Sequence, residues 1–398
     1  MRKVAVLGAT GSIGTQALDV IRSHSGVLTV VALSAAGTNP TLLAEQVLEF
    51  TPQLVALADA TTAAAFETAV AAAAAARGVK PPMFRLEVGE AGIAAAAAYP
   101  ESDVVLNGIT GAAGLGATLA ALQAGKTLAL ANKESLVIGG ALVKAAAAPG
   151  QIVPVDSEHS AIAQSLRSGT HAEIARIILT ASGGPFRGRS LAELADVSVE
   201  QALAHPTWKM GRVVTINSAT MVNKGLEVIE AHLLFDVPVA DIAVVVHPQS
   251  VVHSGVEFCD GALILQASPP DMRLPIALGL TWPQRLPQIA KPCAWNAPVS
   301  WTFEPVDETV FTALADARRA GEIAGTAPAV FNAANEVAVD AFCNEACTFL
   351  DIQRTITKVL DEHLRTNLTP DANLTLPAVL SADAWARSQA RALLGVTS

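Results

Sequence analysis

Cysteine is scarce and comes late: Cys259, Cys293, Cys343 and Cys347 are all there is. Only the last two lie close, at one-turn helical spacing, which fits neither a zinc knuckle nor a disulfide framework. Structural thiols in a reducing compartment are the expectation. Positive charge is also short, with 26 Lys and Arg against 36 Asp and Glu and a net charge of −10. Binding along a phosphate backbone needs a basic footprint, so nucleic acid is excluded as the expected partner. No apolar stretch reaches the roughly 18 residues of a membrane span before a charge or turn residue breaks it, so no membrane partner is expected. A glycine motif begins within ten residues of Met1, which leaves no room for a leader ahead of it and predicts a cytoplasmic protein.

What is present is length and an alternating texture. At 398 residues the chain has room for two or three cores of roughly 150 residues each. Short β-branched runs predict strands at Val4–Leu7, Thr29–Leu33, Leu54–Leu57, Val104–Leu106, Thr127–Leu130 and Ile152–Val155. Helix-length segments separate them, which implies a parallel sheet covered on both faces. The alanine run Ala69–Ala76 reads as helix, since alanine is the best helix former. Beyond Asp156 the texture changes, with strands expected at Ile177–Thr180, Ile242–Val246, Val251–Phe258 and Leu263–Gln266. Prolines 283, 287, 292, 298 and 305 then punctuate a stretch that reads as linker. Ala327–Cys347, Ile352–His363 and Ala382–Leu393 have helical character.

The predicted fold class is therefore α/β: an N-terminal Rossmann-type parallel sheet, a central α+β catalytic domain and a small C-terminal helical domain. The expected division is 1–155 for the dinucleotide, 156–290 for catalysis, metal binding and dimerisation, 291–313 for the linker and 314–398 for the helices. A lid is expected at about 183–212.

Gly8-Ala9-Thr10-Gly11-Ser12-Ile13-Gly14 follows the first strand and opens the first helix. Its glycines permit a tight turn, and the helix start offers unspent N–H groups to a pyrophosphate. A plain strand-to-helix turn would look the same in isolation; the βα repeat behind it favours dinucleotide binding. The second strand leads into Ser34-Ala35-Ala36-Gly37-Thr38-Asn39, without the carboxylate that NAD-specific domains place on the ribose hydroxyls. That absence favours NADP. Two dehydrogenase types are excluded: Tyr99 has no lysine four residues on, and the first cysteine, at 259, comes too late for a mid-chain thiol nucleophile.

Asp156 and Glu158 stand two apart after a strand, where both can project to one side. They either converge on a cation or cap the following helix. Asn217-Ser218-Ala219-Thr220-Met221-Val222-Asn223-Lys224-Gly225-Leu226-Glu227 combines donors that suit a phosphate with a carboxylate that suits a hard cation such as Mg²⁺ or Mn²⁺. An amphipathic helix start with solvated charges is the alternative. Ala131-Asn132-Lys133-Glu134-Ser135 and Ala181-Ser182-Gly183-Gly184-Pro185-Phe186 each end a strand, and either holds a ligand or simply turns. His205-Pro206-Thr207-Trp208-Lys209-Met210-Gly211 lacks periodicity and has the composition of a lid that excludes water.

Together these stretches resemble the 1-deoxy-D-xylulose 5-phosphate reductoisomerase family over most of the chain. The resemblance rests on GATGSIG at Gly8, NGITGAAGL at Asn107, ANKESLV at Ala131, VPVDSEHSAI at Val153 and TASGGPF at Thr180. It continues through HPTWKMG at His205, NSATMVNKGLEVIEA at Asn217, HPQSVVHS at His247 and FNAANEVAV at Phe331. It implies metal binding by Asp156, Glu158 and Glu227, and phosphate binding by Ser182, Ser218, Asn223 and Lys224 with His205 nearby. Lys133, Ser157 and Glu158 would meet the hydroxyl and carbonyl end of the substrate, with Trp208 and Met210 also at the substrate. Gly8, Thr10, Gly11, Ser12, Ile13, Gly37, Thr38, Asn39, Asn132, Glu134 and Gly211 would contact NADPH. Lys133, Asp156, Glu158, His205 and Glu227 are the implied catalytic set. The implied reaction rearranges 1-deoxy-D-xylulose 5-phosphate and reduces it to 2-C-methyl-D-erythritol 4-phosphate, in a homodimer. Thr38 departs from the family, which often has a basic residue there. A dehydrogenase without isomerisation and a non-catalytic nucleotide sensor are the competing readings.

Overall fold

The computed structural model describes residues 1–208 and 210–396. Their contacts separate two compact units. The first is made of Met1–Ser135, Ala145–Ser160 and Asp271–Ala290; the second comprises Leu136–Lys144, Ala161–Pro270 and Lys291–Ser398.

In the first unit seven strands form one parallel sheet: β1 Arg2–Leu7, β2 Leu28–Ala35, β3 Leu54–Leu57, β4 Arg85–Val88, β5 Val104–Asn107, β6 Thr127–Leu130 and β7 Ile152–Pro154. The spatial order is β4-β3-β2-β1-β5-β6-β7, with every recorded pairing parallel. Chain direction across the sheet reverses between β1 and β5, so their carboxyl ends form the crevice where α/β sheets take ligands. Six of the strands match the sequence expectation. The edge strand β4 was not anticipated: its Arg-Leu-Glu-Val run is exposed at both ends, so it lacks the continuous apolar signal of a strand covered on both faces. The alanine run lies in the helix Ala63–Arg77, which Gly78 closes at φ 66°. The helix Arg273–Thr281 also belongs to this unit, because Ile276, Ala277 and Leu280 share a core with Ala129 and Val155.

The second unit holds a mixed sheet of β8 Ile174–Ala181, β9 Ile242–Val246, β10 Val252–Phe258, β11 Leu263–Ala267 and β12 Glu304–Pro305, in the order β11-β10-β8-β9-β12. The short strand β12 lies inside the expected linker and pairs antiparallel with β9. The helix Val222–Phe235 shares a core with Ala313–Ile323, Ala327–Cys343, Phe349–Thr366 and Leu376–Leu394. Phe349 anchors that core, with the Phe186 and Phe342 rings at 5.0 and 5.7 Å in edge-on geometry. Two short helices, Leu191–Leu194 and Val199–Leu203, occupy the expected lid, each opened by a capping box. Phe186, Leu194, Val197 and Ala202 bury their side chains in the same core, so the first part of that segment is anchored. No helix among the described residues is long and apolar enough to cross a membrane.

Candidate active site residues

The glycine turn of the first unit sits in the crevice between β1 and β5. Gly8 has φ 78°, and a Cβ there would lie 2.7 Å from the Gly108 carbonyl oxygen; one on Gly14 would lie 2.2 Å from Gly8 O. Only glycine permits this packing of loop, helix and neighbouring strand end. The helix Ser12–Ser23 starts at Gly11 with no side-chain cap, so its leading N–H groups remain for an anion. At the second loop Gly37 has φ 100° and packs against Thr62. Asn39 Oδ1 accepts from Leu42 N at 3.1 Å, capping the helix Pro40–Phe50. Its amide hydrogens are then the groups left to donate.

Beyond β6, Asn132 is buried and donates to Gly111 O at 3.0 Å and Glu134 Oε2 at 2.9 Å. Lys133 forms a nearly buried ion pair with Asp156, beyond β7. Asp156 O accepts from Ser160 N at 2.9 Å, so this residue opens the helix Ser157–Ser165 through its backbone while its carboxylate faces Lys133. The capping alternative and a ligand role for the side chain are thus compatible. Ser157 Oγ donates to Glu158 Oε2.

In the second unit β8 runs into Ser182, Gly183 and Gly184, both glycines having positive φ (84° and 65°). A Cβ on Gly184 would lie 2.8 Å from Ser218 O, so this turn packs against the end of the helix Arg212–Ala219. The turn that carries Ser182 and the helix that carries Ser218, predicted from separate strings, are thereby packed together. His205 joins them through a 2.9 Å hydrogen bond between its Nε2 and Ser182 Oγ. Burial holds the His205 imidazole below its ordinary pKa. Trp208 lies against His253, with ring centroids 6.2 Å apart. Gly211 opens the helix Arg212–Ala219, and Met210 O accepts from Thr215 Oγ1 at 3.4 Å. Lys209 lies outside the described residues.

Met221, at φ 64°, turns the chain into Val222–Phe235. There Asn223, Lys224 and Glu227 occupy one helical turn, so their side chains meet. Lys224 is 4% and Glu227 1% exposed, and both Lys224 Nζ and Asn223 Nδ2 donate to the Glu227 carboxylate. A solvated helix face is excluded by this burial. Two buried amides escaped the sequence reading. Gln46 Nε2 donates to Ala9 O at 2.9 Å, and Asn335 Nδ2 donates to Asn217 Oδ1 at 3.0 Å. The available signal was a polar residue on an apolar stripe: Gln46 sits between Leu43 and Val47, and Asn335 among Phe331, Ala334 and Ala338.

A parallel sheet with a glycine turn at its switch point, beside carboxylate and ammonium groups on the following strand ends, defines the class of dinucleotide-binding α/β enzymes. The chain belongs to the 1-deoxy-D-xylulose 5-phosphate reductoisomerase family: models of that family match residues 4–140, and models of its C-terminal domains match 152–235 and 267–389. A 1-deoxy-D-xylulose 5-phosphate reductoisomerase of Cutibacterium acnes is 59% identical over 398 residues, covering 98% of each chain. That of Paenarthrobacter aurescens is 58% identical over 98% of this chain and 97% of its own. Among solved structures, the Zymomonas mobilis reductoisomerase in complex with NADPH is 41% identical with a TM-score of 0.89, over 100% of both chains. A DOX-P reductoisomerase in complex with NADPH, fosmidomycin and magnesium is 36% identical with a TM-score of 0.89, over 99% of this chain and 98% of that one.

Proposed function

We propose that this chain converts 1-deoxy-D-xylulose 5-phosphate into 2-C-methyl-D-erythritol 4-phosphate, rearranging the carbon skeleton and then reducing the resulting aldehyde with NADPH. It is an NADPH- and divalent-metal-dependent reductoisomerase of isoprenoid precursor synthesis. The observation that carries this reading is full-length membership of a family whose relatives bear that name. Relatives solved with NADPH and with magnesium support the two cofactors.

The donor set suits a hard cation. Asp156, Glu158 and Glu227 supply only oxygen ligands, and we assign all three to one metal. Glu227 is nearly sealed from solvent yet already faces an ammonium and an amide, so its charge is balanced before a ligand arrives. When bound, the cation would polarise two neighbouring substrate oxygens and lower the cost of developing negative charge.

Ser182, Ser218, Asn223 and Lys224 would hold the substrate phosphate, and His205 would orient Ser182. Anchoring that distant group lets binding energy serve orientation and lid closure. Lys133, Ser157 and Glu158 would meet the hydroxyl and carbonyl end, where an ammonium can hold or release a proton. Trp208 and Met210 in the segment 183–212 would exclude water over the substrate. The loops at Gly8–Ile13 and Gly37–Asn39, with Asn132, Glu134 and Gly211, would hold NADPH. Thr38 offers a hydroxyl in place of a cation, so affinity for the 2′-phosphate rests on hydrogen bonds.

The proposed division of labour along the chain is 1–155 for the cofactor, 156–290 for catalysis, 291–313 as connection and 314–398 as support. We assign a cytoplasmic location and a homodimer. The dimer is supported by β11, an edge strand carrying Leu263 and Ile264 at 46% and 36% exposure, because a partly apolar open edge invites pairing. Purified protein mixed with the ketose phosphate, NADPH and Mg²⁺ should consume NADPH, and chelator should stop it. Reduction of a supplied aldehyde phosphate without any turnover of the ketose phosphate would instead establish a simple reductase.

A further inference from the structure

The helix Pro40–Phe50 carries one polar side chain into the core of the first unit. Gln46 is 5% exposed and donates its Nε2 to the backbone carbonyl of Ala9 at 2.9 Å, across 37 positions. Ala9 lies inside the glycine turn, and its own N–H donates to Ser34 O at 2.8 Å. The turn is thus held from both faces of one residue.

A trans peptide is planar, with its C=O and N–H pointing in opposite directions. Fixing the Ala9 carbonyl on Gln46 therefore fixes where the Thr10 N–H of the same peptide points, away from the helix Pro40–Phe50. That N–H has no acceptor among the described residues, whereas Gly11 N is already spent on Gly8 O at 3.0 Å. An unspent, orientationally fixed donor at the mouth of this turn is what a pyrophosphate oxygen requires. The same helix is capped by Asn39, directly after Gly37 and Thr38, so Gln46 links the second loop to the first.

We infer that Gln46 is a positioning residue for the cofactor: its amide sets the Ala9–Thr10 peptide for the pyrophosphate and couples the two dinucleotide loops. This rests on the reading that the Gly8–Gly14 turn binds NADPH. Gln46→Met keeps the length and removes the donor. Gln46→Glu keeps the shape and puts a carboxylate oxygen against the carbonyl.

Full-length variants would be measured for the NADPH dissociation constant by fluorescence, for both KM values, for kcat and for thermal midpoint. Gln46→Met should raise the NADPH dissociation constant and KM roughly five- to tenfold, the size of a lost buried hydrogen bond, with kcat and the KM for the ketose phosphate within about twofold. Gln46→Glu should weaken NADPH further, and it carries the test if the Met variant does not fold. Unchanged NADPH affinity, or a parallel shift of every constant with the thermal midpoint, overturns the role of Gln46. Gly14→Val separates the two readings: if it keeps NADPH affinity, the turn is not the cofactor site, whereas if it loses affinity while Gln46→Met keeps it, only the coupling falls.

Discussion

His205 donates to Ser182, and the direction of that bond follows from the other side of the ring. His205 Nδ1 accepts from Thr207 N at 3.1 Å and Trp208 N at 2.9 Å, so it carries no hydrogen. The proton is on Nε2 and points at Ser182 Oγ, 2.9 Å away. That oxygen also accepts from Gly184 N at 3.2 Å. With both acceptor positions used, the Ser182 hydroxyl hydrogen is left to donate, which is the polarity an anionic phosphate needs.

Protonating His205 would put a hydrogen between Nδ1 and two backbone N–H groups. Burial already lowers the imidazole pKa, so the folded segment favours the neutral ring. The folded value lies below the unfolded one of about 6.5. The contribution of this ring is therefore fully present above about pH 6.5, and is lost as pH falls from there toward the lowered folded value. The KM for the ketose phosphate should rise across that window. The substrate phosphate titrates near pH 6 as well, so the informative comparison is with His205→Gln, whose profile should be flatter. Superimposable profiles would remove His205 from this role.

Glu227→Gln preserves the volume and an acceptor for Lys224 while removing the charge. It should fold, and its kcat/KM should fall by at least about a hundredfold, the scale for losing an electrostatic group at a reacting centre. The Mg²⁺ concentration at half-maximal rate should move upward. Normal turnover under saturating Mg²⁺ would take Glu227 out of the metal site.

The buried Asn335–Asn217 bond joins the helix Ala327–Cys343 to the helix Arg212–Ala219, which carries Ser218. Asn335→Leu would leave the Asn217 Oδ1 without this donor, at a cost of about 1–3 kcal/mol. Urea unfolding should record that loss. If the disturbed helix serves the phosphate as proposed, kinetics should show a larger rise in KM for the ketose phosphate than for NADPH. An NADPH effect of equal size would mean a general loss of structure.

The parallel strands were legible because strands covered on both faces read as continuous apolar runs, and β1 with Val4 to Leu7 fully buried is such a run. β4 and β12 were not legible: one is an exposed edge with two charges, the other two residues long, so neither carries periodicity. The helix predicted as Ala327–Cys347 stops at Cys343 because Glu345 takes φ 58°, a left-handed turn that composition does not announce. The candidate site residues were legible as strings, whereas the packing between those strings was not. That Gly184 packs on Ser218 and that Gln46 reaches Ala9 are facts of tertiary distance, spanning 34 and 37 positions.

Two glycines close together in the chain allow the phosphate-site packing to be tested apart from backbone strain. Gly184 and Gly188 have similar positive φ, 65° and 78°. Replacing either with alanine carries the same left-handed penalty, about 1 kcal/mol. Their surroundings differ: a Cβ at Gly188 meets open space, while one at Gly184 would lie 2.8 Å from Ser218 O and 3.2 Å from Ala219 Cα. Those are backbone atoms and cannot rotate away, so Gly184→Ala must push the Ser182 turn off the helix bearing Ser218. Both variants should lose similar stability from strain, with an added loss for Gly184→Ala. Only Gly184→Ala should raise the KM for the ketose phosphate, by about tenfold or more if the displaced serines forfeit a charge-assisted hydrogen bond. Equal KM values in the two variants would mean that the packing of the Ser182 turn on the helix bearing Ser218 does not serve phosphate binding, whatever the stability difference between them.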